Sequence, residues 1–360
     1  MEFGIIFDTH VDKWDLIRYS EELGYDAAWV PDSQMIWSDC YATMAVAAVH
    51  TKRIKIGTGV AIAGTRIAPV TAHSIASINQ LAPGRVFLGI GTGHTAMRVM
   101  GQDPVPVRDF REYLRVVRAL LEGREVDYTY AGKTRQIKFL HLDRHFINLD
   151  NEIPIYVAAN GPLALKAAGA YGDGWMTIST DPLGVQSAME QVRAGAKAAQ
   201  RPLPATYHTA CATSACVLRP GDKLTDDRVI DETGSMVTCV LHFAWEIWKQ
   251  MGEKEELIPP FFANVWGDYC KRVANYSLPE TARFRQIHDG HCTFLQPEER
   301  RFVTPEAIRN CCIVGTPEEI ISRLKGLEQA GVNEIVLVPP ADYQRKVFRD
   351  FAEMVMPAFR

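Results

Sequence analysis

What this chain lacks narrows it first. Among its 360 residues, no apolar run reaches the roughly 18 to 20 that a membrane-spanning helix requires. Neither sign of charge prevails, with 39 Lys and Arg against 43 Asp and Glu, so neither nucleic acid nor an acidic membrane surface is expected as a partner. The eight cysteines are scattered, and none makes the C-x-x-C spacing of a zinc ribbon or a thioredoxin-like dithiol. No metal is therefore expected, and reduced thiols in the cytoplasm are. Residues 1–8 lack a positive region followed by an apolar stretch and a cleavage site, so no secretion signal is expected. Also missing are a phosphate-binding P-loop, a Ser nucleophile elbow, any low-complexity tract, and the complete Rossmann glycine spacing with its downstream acid.

What is present is a sustained alternation of strand and helix. Hydrophobic residues make up 47 % and charged residues 23 %, the balance of a globular chain with a sizeable core. The stretch Arg53-Ile-Lys-Ile-Gly-Thr-Gly-Val60 begins as an alternating strand and ends in small residues. Arg85-Val-Phe-Leu-Gly-Ile-Gly-Thr-Gly93 repeats that ending one strand–helix unit later. Glycine reaches backbone conformations closed to other residues and lets a flat ligand approach the main chain. Two such endings in succession imply one shared rim that holds one planar cofactor.

In chain order, residues 3–7 read as a first strand, and 14–23 as a helix stopped by Gly24. Residues 27–30 form strand two with 32–37 as its exit loop, and 41–50 an Ala-rich helix. Helix three at 69–81, strand four at 85–90 and helix four at 107–121 follow. Residues 125–149 interrupt the rhythm as a small hairpin excursion. It resumes with 154–159, 162–170, 174–178, 185–199 and 206–218. The irregular segment 219–301 carries Phe243, Trp245, Trp248, Phe261, Phe262 and Trp266, too aromatic for a disordered linker. It reads as a helical insertion over a barrel mouth. Thr316-Pro-Glu-Glu319 opens a helix with Thr as cap and Pro at the first position. Residues 333–338 are the last strand and 343–356 the last helix. Eight strands with short links predict an α/β fold on a parallel sheet, either closed or doubly wound.

Several of these stretches together resemble the bacterial-luciferase-like oxidoreductases, most nearly their methylenetetrahydromethanopterin reductase-like branch. They are the Gly57-Thr-Gly-Val60 and Gly91-Thr-Gly93 endings, Pro83-Gly-Arg-Val-Phe-Leu-Gly89, the Ala158-Ala-Asn-Gly161 turn, and Val314-Gly-Thr-Pro-Glu-Glu319 leading to Val332-Asn-Glu-Ile-Val-Leu-Val338. The resemblance covers residues 1–218 and 302–360 and fails over 219–301. It implies a (β/α)8 TIM barrel, one domain across 1–360, with the 219–301 insertion after strand seven and the excursion after helix four. It further implies reduced FMN, or its deazaflavin analogue coenzyme F420, at the C-terminal strand ends. Cofactor contacts are expected from Thr58, Gly59, Val60, Gly91, Thr92, Gly93, Ala158, Ala159, Asn160 and Gly161. The Gly59–Val60 peptide is either a cis bulge under the ring, as the resemblance implies, or an ordinary glycine bend. The Ala158–Gly161 turn either offers helix-terminal amides to an anion or is a plain strand-to-helix turn.

In the deazaflavin sugar-phosphate dehydrogenases of this family, the strand-two loop supplies a His and, four residues on, a Trp, and a Glu follows the strand-four Gly-Thr-Gly. Here those positions are Ser33, Trp37 and His94, so the dehydrogenase base is missing. His94 is expected either to act as acid/base or ring contact or only to order a loop. Trp37 and Asp8 are the other catalytic candidates, Asp8 either bonding ring or substrate or capping helix one. Arg66 either reaches a phosphate or acidic substrate or forms a rim salt bridge. The aromatic residues of the insertion form either a lid or a helical core. The expected activity is a monooxygenase that takes reduced FMN from a partner flavin reductase and oxygenates a small organic substrate. The alternatives are an F420-dependent reductase or dehydrogenase and a non-catalytic flavin-binding barrel. A homodimer is expected from the family's habit.

Overall fold

Strands made almost wholly of apolar and small residues must be covered on both faces, which calls for helices outside and a filled interior. That arrangement holds across residues 1–360 of the computed structural model. The barrel strands are β1 Glu2–Ile6, β2 Ala27–Val30, β3 Lys55–Thr58, β4 Val86–Gly91, β5 Ile155–Ala158, β6 Gly174–Thr177, β7 His208–Thr213 and β8 Glu334–Leu337. All pair in parallel, in the order β3-β2-β1-β8-β7-β6-β5-β4. Pairing of Ile56 with Val86 and of Gly57 with Phe87 closes the cylinder. Around it lie α1 Asp15–Leu23, α2 Cys40–His50, α3 Ala68–Leu81, α4 Val107–Leu121, α5 Pro162–Tyr171, α6 Pro182–Ala198, α7 Pro317–Gln329 and α8 Gln344–Met354. The choice between closed and doubly wound sheets therefore resolves to the TIM barrel. Gly24 ends α1 in the left-handed region at φ 92°, and Thr316 with Glu319 forms a reciprocal capping box on α7. No helix is long and apolar enough to cross a membrane.

Two strands end earlier than the sequence predicts. β3 stops at Thr58, and Ala61–Ile62 pairs onto the end of β4 instead. β7 stops at Thr213, because Ala215–Val217 leaves the barrel to pair with Ile313–Gly315. The excursion after α4 is the expected hairpin, Val126–Tyr130 against Lys133–Ile137. The insertion is helical, led by Asp227–Gln250 and Ala263–Ala274. Phe262, Trp266, Tyr269 and Phe302 bury there in a second apolar core, so most of its aromatic residues are packing rather than lid. The short helices His94–Val99 and Pro305–Cys311 have no counterpart in the sequence reading.

The interior is plugged toward its N-terminal end. Trp29 meets Phe87 edge-on at 4.4 Å, and Phe87 faces Tyr156 at 5.3 Å. Trp29 Nε1 donates to Glu334 Oε1 at 2.9 Å, while His208 Nε2 lies 2.7 Å from Oε2. Both oxygens of this buried carboxylate thus have partners, which its burial requires. The rings fit because Gly57 faces them: a Cβ there would enter the Phe87 ring. Gly57→Ala is expected to lower unfolding stability by about 1–3 kcal/mol. The check is the urea midpoint at unchanged m-value, and an unmoved midpoint would show that Phe87 repacks freely.

Candidate active site

With the plug at one end, the C-terminal strand ends are left for chemistry. Here the Gly59–Val60 peptide is cis. Val60 and Ala158 flank Gly91, where a Cβ would lie 3.3 Å from Val60 Cγ2 and 3.4 Å from Ala158 Cβ. Gly93, at φ 80°, turns the chain into the helix His94–Val99. These residues, with Thr92, Ser33 and the Ala158–Gly161 turn, enclose a cavity of about 810 Å³ that Phe243 and Ile247 of the insertion roof over. Thr58 and Gly59 stand behind this lining rather than in it. The Thr58 hydroxyl is used within the wall, donating to Gly89 O at 2.6 Å, and Gly59 N donates to Val30 O at 2.7 Å.

The cavity suits a flat ring close to main chain, because the wall at Gly91, Ala158 and Ala159 carries almost no side chain. The first turn of α5 has no side-chain cap, so its amides are available to an anionic tail. His94 Nε2 is buried beside the cavity with no hydrogen-bond partner, a polar atom that a bound ring would satisfy. The residues therefore fit a flavin or a deazaflavin.

His94 is held from the insertion side. Its Nδ1 lies 3.4 Å from Glu246 Oε2, and Phe243 meets its ring edge-on at 4.7 Å. Arg98 Nε lies 3.5 Å from Glu246 Oε1, and His288 Nε2 hydrogen-bonds the same oxygen at 3.0 Å. Burial alone would raise the Glu246 carboxyl, but His288, His94 and Arg98 outweigh it and hold the group below the ordinary carboxylate value. Burial also pushes His288 down despite Glu246. For His94 burial dominates, lowering the imidazole to about 4 against the pull of Glu246. His94 is thus neutral at pH 7, and a carboxylate beside Nδ1 favours the tautomer that leaves Nε2 as the proton acceptor.

Beyond Glu246 lies a second cavity of about 1090 Å³, walled in part by Asp8, Trp37, His288 and His291. The fold therefore separates the three predicted catalytic residues, placing His94 at the first cavity and Trp37 and Asp8 at the second. Trp37 Nε1 donates to Thr293 Oγ1 at 3.1 Å, fastening the strand-two loop to the insertion. Asp8 accepts from Gln344 Nε2 at 2.6 Å and lies 3.0 Å from His10 Nε2, and it caps no helix. Arg66 forms the rim salt bridge, 2.7 Å from both Asp32 and Asp39, and its guanidinium is spent there. The sequence reading missed Glu246, Arg98 and His288. Glu246 left a signal, as the single charged residue between Val240 and Trp248 on an apolar helix.

Between 6.5, the ordinary imidazole value, and the value of about 4 at His94, the unfolded chain binds a proton that the native chain refuses, so stability falls as pH falls through that window. His94→Asn is expected to flatten this acid-side loss relative to the unsubstituted chain, measured as the urea midpoint against pH. Parallel curves would show that His94 is protonated in the native state.

Comparison with known proteins places this geometry in context. The family model described as luciferase-like monooxygenase matches residues 11–334, the 219–301 segment included. A 5,10-methylenetetrahydromethanopterin reductase of Archaeoglobus fulgidus is 27 % identical over 355 residues, 96 % of each chain. The enzyme of the same name from Methanolobus tindarius is 35 % identical over 208 residues, 56 % of this chain and 61 % of its own length. Among solved structures, the coenzyme F420 dependent tetrahydromethanopterin reductase of Methanopyrus kandleri superposes with a TM-score of 0.69 at 22 % identity, covering 100 % of this chain and 99 % of the other. That last likeness is one of fold. Because one family model spans barrel and insertion alike, this chain belongs to the luciferase-like monooxygenase family, an oxidoreductase built on a (β/α)8 barrel.

Proposed function

We propose that this protein is a coenzyme F420-dependent oxidoreductase, exchanging hydride with a small organic substrate held in the cavity beyond Glu246. Reduced FMN and oxygenation, first in the expectations from sequence, yield here to their alternative. The observation that carries this order is that the relatives aligned over 96 % of this chain include, beside the methylenetetrahydromethanopterin reductase, an F420-dependent glucose-6-phosphate dehydrogenase of Amycolatopsis mediterranei at 24 % identity. The cavity at Gly91 and Ala158 supports either ring, and the family model's own description keeps the FMN monooxygenase as the second reading.

When bound, F420 supplies hydride chemistry at its ring. The chain's own residues do the rest. Val60 and Ala158 would lie against a bound ring, and Phe243 and Ile247 roof the cavity against water. The first-turn amides of α5 receive the negative tail. His94 Nε2 takes or returns a proton as the substrate changes charge, and the Glu246 carboxylate 3.4 Å from Nδ1 favours the tautomer that allows it. The Glu that relatives of the sugar-phosphate type use after strand four is thus replaced by a His steered from the insertion.

Titration of the purified chain with F420 and, separately, with FMN tests the order of the two readings. F420 is expected to bind at least about tenfold more tightly, a difference of about 1.4 kcal/mol. The reverse order would restore the FMN reading, and failure of both to bind would remove the redox assignment. Gly91→Val fills the space between Val60 and Ala158 and is expected to weaken F420 binding about 100-fold, close to 3 kcal/mol. Its far-ultraviolet circular dichroism should match that of the unsubstituted chain even where crowding of Val60 lowers the melting temperature, which separates a blocked cavity from an unfolded barrel.

A further inference from the structure

The sequence holds no C-x-x-C pair, yet the fold assembles a thiol–imidazole–thiol cluster from two separated stretches. Cys239 comes from the middle of the helix Asp227–Gln250, and His291 and Cys292 come from the loop that follows Phe284–Ile287. Cys239 Sγ lies 3.6 Å from His291 Nδ1, and Cys292 Sγ lies 3.8 Å from His291 Nε2. One donor atom from each of the three falls within 4.8 Å of the other two. Thiolate and imidazole ligands at about 2.3 and 2.0 Å from a tetrahedral ion stand roughly 3.5 Å apart. The Cys239–Nδ1 spacing already has that value, and since an ion takes one ring nitrogen only, the thiol now facing the other nitrogen must close in from within 4.8 Å.

The loop is held in place by bonds outside the cluster. Thr293 receives the Trp37 indole at 3.1 Å, and its carbonyl accepts from Ala341 N at 2.8 Å, so both barrel loops grip the residue next to Cys292. The two thiols and the imidazole have no hydrogen-bond partners except one another. The other grouping of this kind, Glu2, His208 and Glu334, differs in that respect, since Trp29 and His208 already satisfy Glu334. Two sulfurs and one imidazole form a donor set for zinc-type ions rather than for magnesium or calcium.

We propose that Cys239, His291 and Cys292 bind a soft divalent ion of the zinc class, with a fourth coordination position open toward the 1090 Å³ cavity that His291 lines. Three protein ligands and one free position are the pattern of a catalytic rather than a structural zinc site. The free position takes water or a lone-pair atom of the substrate, which the ion polarises as a Lewis acid. Cys292 packs on the same barrel-interior cluster as Val60 and Ala158, two residues that line the first cavity. The proposal does not rest on the F420 reading, because metal and cofactor use different residues.

The test is Co²⁺ titration of the full chain, stripped with a chelator and kept reduced. The expected result is saturation at a single Co²⁺ per chain, with four-coordinate ligand-field bands and a thiolate charge-transfer band, all displaced by Zn²⁺. Cys239→Ser and Cys292→Ser should each weaken binding at least about tenfold and diminish the charge-transfer band, whereas Cys270→Ser, outside the cluster, should leave both unchanged. In the unsubstituted chain, Zn²⁺ should slow alkylation of Cys239 and Cys292 while Cys270 reacts at its former rate, a readout that needs no variant to fold. Failure of the reduced chain to take up Co²⁺, uptake without a thiolate band, or equal alkylation with and without Zn²⁺ overturns the proposal.

Discussion

A carboxylate taken out of water costs several kcal/mol unless partners meet it, and Glu246 is where this chain faces that constraint. Its partners come from two places. His94 and Arg98 rise from the turn after β4, and His288 comes from the far end of the insertion. His288 meets Glu246 within the insertion, so it is the seating of the insertion on the barrel that brings His94 and Arg98 to the same carboxylate. That seating places Phe243 over the strand ends and His288 in the wall of the outer cavity, so both cavities take their shape from it.

Of the buried Glu–His pairs, Glu334–His208 and Glu246–His94 stand toward opposite ends of the barrel, and their difference separates stability from chemistry. Glu334 is complete, with Trp29 on one oxygen and His208 on the other. At the opposite end, Glu246 Oε2 and His94 Nε2 are both buried without a hydrogen bond. A half-satisfied polar group in a low-dielectric site is costly to keep, and its natural use is to receive a ligand. The finished pair locks the closed end, and the unfinished one waits at the open end.

The period of the strands and helices was plain from sequence because each covers its own apolar face, and the closed barrel follows from them. The glycine endings were equally plain, and eight of the ten residues expected around the ring line the cavity. Thr58 and Gly59 fell behind the wall because the Thr58 hydroxyl is spent on Gly89 O and Gly59 N on Val30 O, and no pattern says which side a bend will show. The relay and the thiol cluster were out of reach for another reason. His94 and Glu246 meet only through the seating of the insertion, and Cys239 and His291 only through its internal packing, and pairs so far apart in the chain leave no local spacing to read. Ring identity was equally hidden, since a wall of glycine and alanine accepts a flavin and a deazaflavin alike.

The insertion carries an apolar core of its own, built from Phe262, Trp266, Tyr269 and their neighbours, and it depends little on the barrel's interior for cohesion. Drift in its outer loops therefore leaves the strand tips untouched. A fold divided this way lets the outer loops vary without moving the small-residue wall at Gly91 and Ala158.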